Sequence, residues 1–414
     1  MTALRSDNRP SIAASADPAP SGTGPLAWLW ASFARRLAKR IDAGLVSGSL
    51  RATFPDGSTK MLGGRAPGIA AVASLHNWRG LVRIATGGSI GVYHSWETGE
   101  WSSDDPVKVF TLFVANAGAL GNTARARGPW RWAARTAHWL HRNTRAGARR
   151  NIHAHYDLGN GFYTAWLDPE LVYSSARFGA VSEGLAAAQQ RKLADVTARI
   201  AGAQSVLEIG CGWGALAQHL HEAGMAVSAI SLSEAQLAWA RQRRAPQIDF
   251  RQIDYRDVEG QYDAITSVEM VEAVGREYWP DFFACLARCL KPGGRAAIQY
   301  IAIREDLFPA YAANADFIQA YVFPGGMLVS EAEFRRLAQY YGLEWTDQQD
   351  FPLDYAETLR IWRENFDVAI AAGHLPAQFD ARFQRLWRFY LMYCEGGFRG
   401  GGITVAQVTL RKSV

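Results

Sequence analysis

Val206-Leu207-Glu208-Ile209-Gly210-Cys211-Gly212-Trp213-Gly214 is the stretch that decides the fold. A short run, apolar but for Glu208, reads as a buried strand, and three glycines follow at alternate positions. Glycine lets the backbone turn tightly and approach a ligand with no Cβ in the way. Alone, such a triplet is weak evidence, because nucleotide-binding folds of several kinds use one. The spacing narrows the choice. A dinucleotide fold favours G-x-G-x-x-G, with an acid about 20 residues on for a ribose. Here the spacing is G-x-G-x-G, and the next strand ends in Ser231-Leu232-Ser233, with Gln236 following and no acid at its tip.

Outward from this loop, strands alternate with helices. Ser205 to Ile209, Val227 to Ile230, Tyr262 to Val268 and Arg295 to Tyr300 are predicted strands, and Leu216 to Glu222 and Glu234 to Arg244 predicted helices. That order is an α/β doubly wound sheet, placed at residues 151–414. A smaller α+β domain is expected at 26–120, where Leu50 to Phe54 meets the turn Pro55-Asp56-Gly57. Residues 1–25 read as a disordered tail without the apolar core of a signal peptide. Residues 121–150 read as a basic linker carrying Trp130, Trp132 and Trp139.

Charge divides the 414 residues unevenly. The first 150 carry 20 Lys and Arg against 8 Asp and Glu, and the remainder 24 against 31. A basic front on an acidic back predicts contact with an anionic surface, and charge alone admits nucleic acid as well as lipid headgroups. Leu26 to Ile41 has Trp28, Leu29, Phe33, Leu37 and Ile41 near one side, interleaved with Arg35, Arg36, Lys39 and Arg40. Such a helix suits a membrane interface or packing on its own domain. No run reaches the roughly 18 apolar residues of a membrane span. The expected location is cytoplasmic, peripheral at the inner face of the membrane. Cys211, Cys285, Cys289 and Cys394 agree with a reducing compartment. Cys285 and Cys289 share a helical face but lack two further ligands spaced for zinc, so no metal is expected.

The glycine loop with its preceding Glu208 resembles the first motif of the Rossmann-like S-adenosylmethionine (SAM) methyltransferases. The chain from Ile152 onward is similar to the cyclopropane-fatty-acyl-phospholipid synthases and mycolic acid cyclopropane synthases. The blocks that carry this are His155-Tyr156-Asp157-Leu158-Gly159-Asn160, Leu167-Asp168-Pro169 running to Tyr173-Ser174, the glycine loop, Ser231 to Gln236, Asp254-Tyr255-Arg256-Asp257, Phe323-Pro324-Gly325-Gly326, and Cys394 with Gly397, Phe398 and Arg399. The resemblance implies SAM contacts from Tyr173, Ser174, Glu208, Gly210, Gly212, Gly214, Ser231, Leu232 and Gln236, with Tyr255 and Arg256 near the adenine. It implies a one-carbon transfer to the double bond of an unsaturated phospholipid acyl chain, through a carbocation that aromatic faces in a dry pocket stabilise. A base then removes a proton, and the proton's origin sets the product.

In that family the base is a bound bicarbonate held by a Glu, a His, a Tyr and backbone amides. Glu272, Tyr355 and Ile301 match three of these positions. Ser175 stands where the family has Cys, and Gln299, which cannot titrate, stands where it has His. Glu269 is an added carboxylate that would repel a bicarbonate beside Glu272. The resemblance implies a cyclopropane-fatty-acyl-phospholipid synthase-like enzyme; the alternative is that Glu269, Glu272 or Glu395 replaces bicarbonate and that the product is a methyl- or methylene-branched chain, or a furan fatty acid precursor, in place of a cyclopropane. Helix capping or an arginine partner is the competing reading of Glu269. Cys394 is expected near the acyl channel, and Asp316, Phe317, Tyr321 and Phe323 along it. His153 and His155 read as substrate-phosphate ligands or as loop residues.

Other classes fit less well. A small-molecule methyltransferase would not need the basic, Trp-rich front. A lipid-binding scaffold would not need Gln236, Glu272 and Tyr355 intact. A nucleic-acid methyltransferase would want an N/D-P-P-Y-like motif, which is absent. A homodimer is expected, as lipid enzymes of this kind often pair.

Overall fold

The computed structural model describes residues 27–121, 158–180 and 183–414, with side chains from Arg35 onward. The expected tail, the Trp-rich linker, His153 and His155 lie outside the described residues.

The front of the chain is built on a four-stranded sheet in the order β2-β1-β3-β4, from β1 (Ser49–Thr53), β2 (Thr59–Gly63), β3 (Ala70–Leu75) and β4 (Trp101–Ser102). Asp56 ties the β1–β2 turn by accepting from the backbone and hydroxyl of Ser58 at 3.0 and 2.6 Å. Helices α1 (Ala27–Gly44), α2 (Trp78–Glu97) and α3 (Pro106–Ala115) accompany it. Leu37 is buried and Ile41 partly so, both packed within this unit, while Arg35, Arg36, Lys39 and Arg40 are exposed. At these positions the apolar side of α1 covers its own domain, and the basic side is exposed.

Behind it lies a seven-stranded sheet in the order β10-β11-β9-β8-β5-β6-β7. Its members are β5 (Ser205–Ile209), β6 (Ala226–Ser231), β7 (Asp249–Gln252), β8 (Tyr262–Val268), β9 (Leu290–Ile303), β10 (Leu343–Asp350) and β11 (Ile403–Lys412). β11 is antiparallel to both its neighbours and the other pairings are parallel. The helices named below are α4 (Leu185–Arg199), α5 (Ala215–Glu222), α6 (Glu234–Arg243), α7 (Trp279–Cys289), α8 (Phe317–Tyr321), α9 (Pro352–Ala371) and α10 (Ala381–Arg399). The doubly wound fold read from the sequence is present. Among the described residues no helix is long and apolar enough to cross a membrane.

The two parts meet closely. A Cβ placed on Gly396 of α10 would lie 2.4 Å from the Cβ of Phe110, and one on Gly400 would lie 2.7 Å from the Cβ of Val114. Only glycine lets α3 approach that near. α2 breaks at Gly88 (φ 57°), and the Ser89 hydroxyl beyond the break donates to Asp316. Phe317 and Tyr321 pack on Tyr93 of α2, with ring centres 5.0 and 5.1 Å apart. They therefore join front to back and do not line the channel expected of them; Asp316 and Phe323 do line a cavity.

Candidate active site

β5 delivers the chain into the glycine loop at the sheet's carboxyl edge. Gly210 (φ 84°) and Gly214 (φ 77°) occupy left-handed backbone, and the N–H groups of Gly210 and Cys211 both donate to the Ile230 carbonyl at 3.0 Å. A Cβ on Gly212 (φ 52°) would meet nothing within 4 Å, so the loop presents open space there. At the tip of β6 the Ser231 hydroxyl donates to Gln236 Oε1 at 3.3 Å, and Ser233 caps α6 by accepting from the Gln236 N–H. Arg256 is held in two contacts by Asp254, at 2.8 and 2.6 Å. Tyr173, Ser174, Glu208, Gly210, Gly212, Ser231, Leu232, Gln236, Tyr255 and Arg256 line one cavity of about 460 Å³. Gly214, the last of the three glycines, closes the turn behind it against Phe250 and Ala240.

Glu208 is buried, its Oε2 has no partner, and burial pushes its carboxyl up to about 8. A buried carboxyl with one unpartnered oxygen beside an open glycine cradle is the arrangement a cationic amine would complete. SAM carries that amine, and its ribose hydroxyls match Ser231 and Gln236, so the residues present fit the cofactor.

The same cavity is lined by two further glutamates, Glu269 and Glu272, and by apolar side chains that include Ile303, Leu307, Leu359 and Ile403. Glu269 follows β8 directly and takes φ 49°, in the left-handed region that non-glycine residues seldom occupy. Its Oε1 accepts from the Ser175 N–H at 2.9 Å and from Gln299 Nε2 at 2.7 Å, and its Oε2 from the Tyr355 hydroxyl at 2.7 Å. It has neither a helix to cap nor an arginine partner among these contacts. Glu272 Oε1 accepts from the Ile301 N–H, while its Oε2 is buried and unpartnered. Gly326 and Met327 of the Phe323-to-Met327 turn close on the Glu272 backbone, Met327 N–H donating to its carbonyl at 2.7 Å. Burial, then the neighbouring Glu269 charge, pushes Glu272 up to about 8. Burial also raises Glu269, opposed by Tyr355, Ser175 and Gln299. The donors divide the pair: three of them face Glu269 and favour its ionised form, whereas Glu272 has one and keeps a bare oxygen beside the Glu269 charge.

Two further expectations are settled by placement. Glu395 is held by Arg363 at 3.1 Å and Arg399 at 2.9 Å and does not line the cavity, so it is no candidate base. Cys394 lines the cavity, and burial pushes its thiol well above the usual range, so it is an apolar wall. Cys285 and Cys289 lie buried on one face of α7, with sulfurs 4.0 Å apart. Lys192 went unread in the sequence. It is buried, lines the cavity, donates to Ser174 Oγ at 2.6 Å and is pushed down to about 8 by burial. The clue was available: Leu185, Ala188, Gln189, Lys192, Leu193, Val196 and Arg199 recur at the spacing of a buried helical face.

These values carry a pH prediction. Glu208 and Glu272 bind their protons more tightly in the folded chain (about 8) than in the unfolded one (4.5). Their contribution to stability is complete below pH 4.5 and is lost as pH rises through 8. The ligand-free protein is expected to melt at lower temperature as pH climbs across that window. Glu272→Gln should flatten the dependence, and a melting temperature of this variant that falls as steeply as that of the wild type refutes the assignment.

Residues 143–408 match the family described as mycolic acid cyclopropane synthetase. A tuberculostearic acid methyltransferase of Mycobacterium tuberculosis is 38% identical over 417 residues, spanning 94% of this chain and 92% of that protein. A cyclopropane-fatty-acyl-phospholipid synthase of Escherichia coli is 31% identical, spanning 80% and 85%. A crystal structure of a mycolic acid cyclopropane synthase complexed with SAH and CTAB superposes with a TM-score of 0.59 at 26% identity, covering 64% of this chain and 98% of that one. Sheet order, glycine cradle and sequence agree, and the chain belongs to the mycolic acid cyclopropane synthetase family of SAM-dependent lipid methyltransferases and cyclopropane synthases.

Proposed function

We propose that the protein methylates the double bond of an unsaturated phospholipid acyl chain, and that Glu269 is the base that ends the reaction, giving a methyl- or methylene-branched chain without bicarbonate. When bound, SAM supplies an electrophilic methyl carbon. The alkene's π electrons form the new C–C bond, leaving a cation on the adjacent chain carbon. Tyr355, Tyr390 and Phe398 line the cavity and offer ring faces to that charge. Loss of a proton to Glu269 then restores an alkene or closes a ring.

The observation that carries this reading is the position of the Glu269 carboxylate. It occupies the Ser175 amide, the Gln299 side chain and the Tyr355 hydroxyl, three of the donors that the family resemblance assigns to bicarbonate. The name of the Mycobacterium tuberculosis relative supports a branched product. Cyclopropanation is the second reading, favoured by Glu272 still holding the Ile301 amide. The exposed Arg35, Arg36, Lys39 and Arg40 on α1 support docking at an anionic bilayer on the cytoplasmic face.

One experiment tests these points together. The enzyme, SAM and vesicles of a monounsaturated phosphatidylglycerol are incubated in bicarbonate-free buffer and then with added bicarbonate. Branched acyl chains at the same rate in both are expected. Cyclopropane as the sole product, or a rate that needs bicarbonate, overturns the proposal.

A further inference from the structure

Glu269 is the end of a buried hydrogen-bonded chain that starts 70 residues upstream in sequence, at the last residue of α4. Arg199 Nε donates to Gln407 Oε1 at 3.1 Å, Gln407 Nε2 donates to Gln299 Oε1 at 3.0 Å, and Gln299 Nε2 donates to Glu269 Oε1 at 2.7 Å. Gln299 and Gln407 sit directly opposite one another in the β9–β11 register, and both are 1% exposed. Arg199 is itself buried and fixed by the Asp347 carbonyl and carboxylate and by the Thr409 hydroxyl, at 2.6, 3.0 and 3.1 Å.

The direction of this chain is not arbitrary. A guanidinium can only donate, so Gln407 must turn its oxygen toward Arg199 and its NH₂ toward Gln299. Gln299 must then turn its oxygen toward Gln407 and its NH₂ toward Glu269. A carboxylate can only accept, so the far end is satisfied when Glu269 is ionised. Both amide dipoles point their positive ends at Glu269, in a protein interior where such interactions are weakly screened.

We infer that Arg199 and Gln407 are positioning residues that hold the Gln299 amide in its donating orientation and thereby keep Glu269 ionised as the proton acceptor. This rests on Glu269 being the base. It also accounts for glutamine at position 299: an amide passes orientation from one neighbour to the next without itself gaining or losing a proton. The other titratable groups that face Glu269 are Lys192 on α4, Glu272 after β8 and Tyr355 on α9, with Glu208 and Asp168 beyond Lys192. The test leaves all of them unchanged.

The variant Gln407→Glu keeps an acceptor for Arg199 but has no proton to give Gln299. Gln299 then turns its NH₂ toward position 407 and its oxygen toward Glu269. Gln407→Leu breaks the chain without adding charge. Melting and calorimetry with S-adenosylhomocysteine verify the fold and the cofactor site of each. The readout is the Glu269 carboxylate band, taken as an infrared difference against Glu269→Gln across pH, together with the acid limb of the rate profile. In both variants the midpoint should rise by about one pH unit, with about a tenfold lower rate on the acid limb and no change at the plateau. Folded variants whose midpoint stays at the wild-type value overturn the inference. Wild-type turnover by Glu269→Gln would instead refute Glu269 as the base, and the infrared midpoints would still report whether the chain is coupled.

Discussion

Glu269→Gln is expected to lower kcat by about 10²- to 10⁴-fold, the range of a lost general base, while S-adenosylhomocysteine binding stays unchanged. The argument is one of donors and acceptors. The carboxylate accepts from the Ser175 amide, the Gln299 amide and the Tyr355 hydroxyl. Glutamine at 269 has nearly the same shape, yet it offers a single acceptor oxygen and sets an NH₂ group against donors. It also cannot accept a proton from the cation. The glycine cradle is formed by other residues, so cofactor affinity is a clean control. Single-turnover methyl transfer to vesicle phospholipid measures the loss, and a variant that turns over near the wild-type rate removes Glu269 from the chemistry.

A second large effect is expected at Gly212. Leucine there should weaken SAM binding by at least about 100-fold, close to 3 kcal/mol, with the protein still folded. The residue sits at φ 52° and a Cβ would touch nothing within 4 Å, so the folded chain bears mainly the left-handed backbone penalty of about 1–2 kcal/mol. The added side chain occupies the cavity beside Glu208, where the cofactor must lie. Gly210 makes the contrast. Its Cβ would fall 2.6 Å from Met270 Cγ, so leucine at 210 should damage the loop itself. Calorimetry with SAM and thermal melting of the two variants separate these cases, and tight SAM binding by Gly212→Leu would place the cofactor elsewhere.

The sheet was readable because its central strands are apolar runs punctuated by glycine, a pattern that survives without knowledge of partners. The limits of β9 were less so. The strand spans Leu290–Ile303, longer than the predicted Arg295 to Tyr300, and takes up Lys291-Pro292-Gly293-Gly294 as an irregularity in the pairing with β8. Glu269 could be recognised as an odd carboxylate, but its seat on three donors depends on a backbone conformation that composition does not encode. Phe317 and Tyr321 suit a channel as aromatics, yet both pack on Tyr93, more than 220 residues away, and Phe317 also on Phe389 and Tyr393. Lys192 and Arg199 lie on α4, a helix outside the predicted elements, and only their place in its apolar period marks them as buried.

The seam at Gly396 and Gly400 has a mechanical meaning. Where α3 and α10 touch main chain to main chain, no layer of side chains is left to compress or swing aside. Val114, on the α3 side of that joint, also forms part of the cavity wall. That part of the wall behaves as a rigid strut, and any widening to admit a bulkier guest has to come from the opposite side of the chamber.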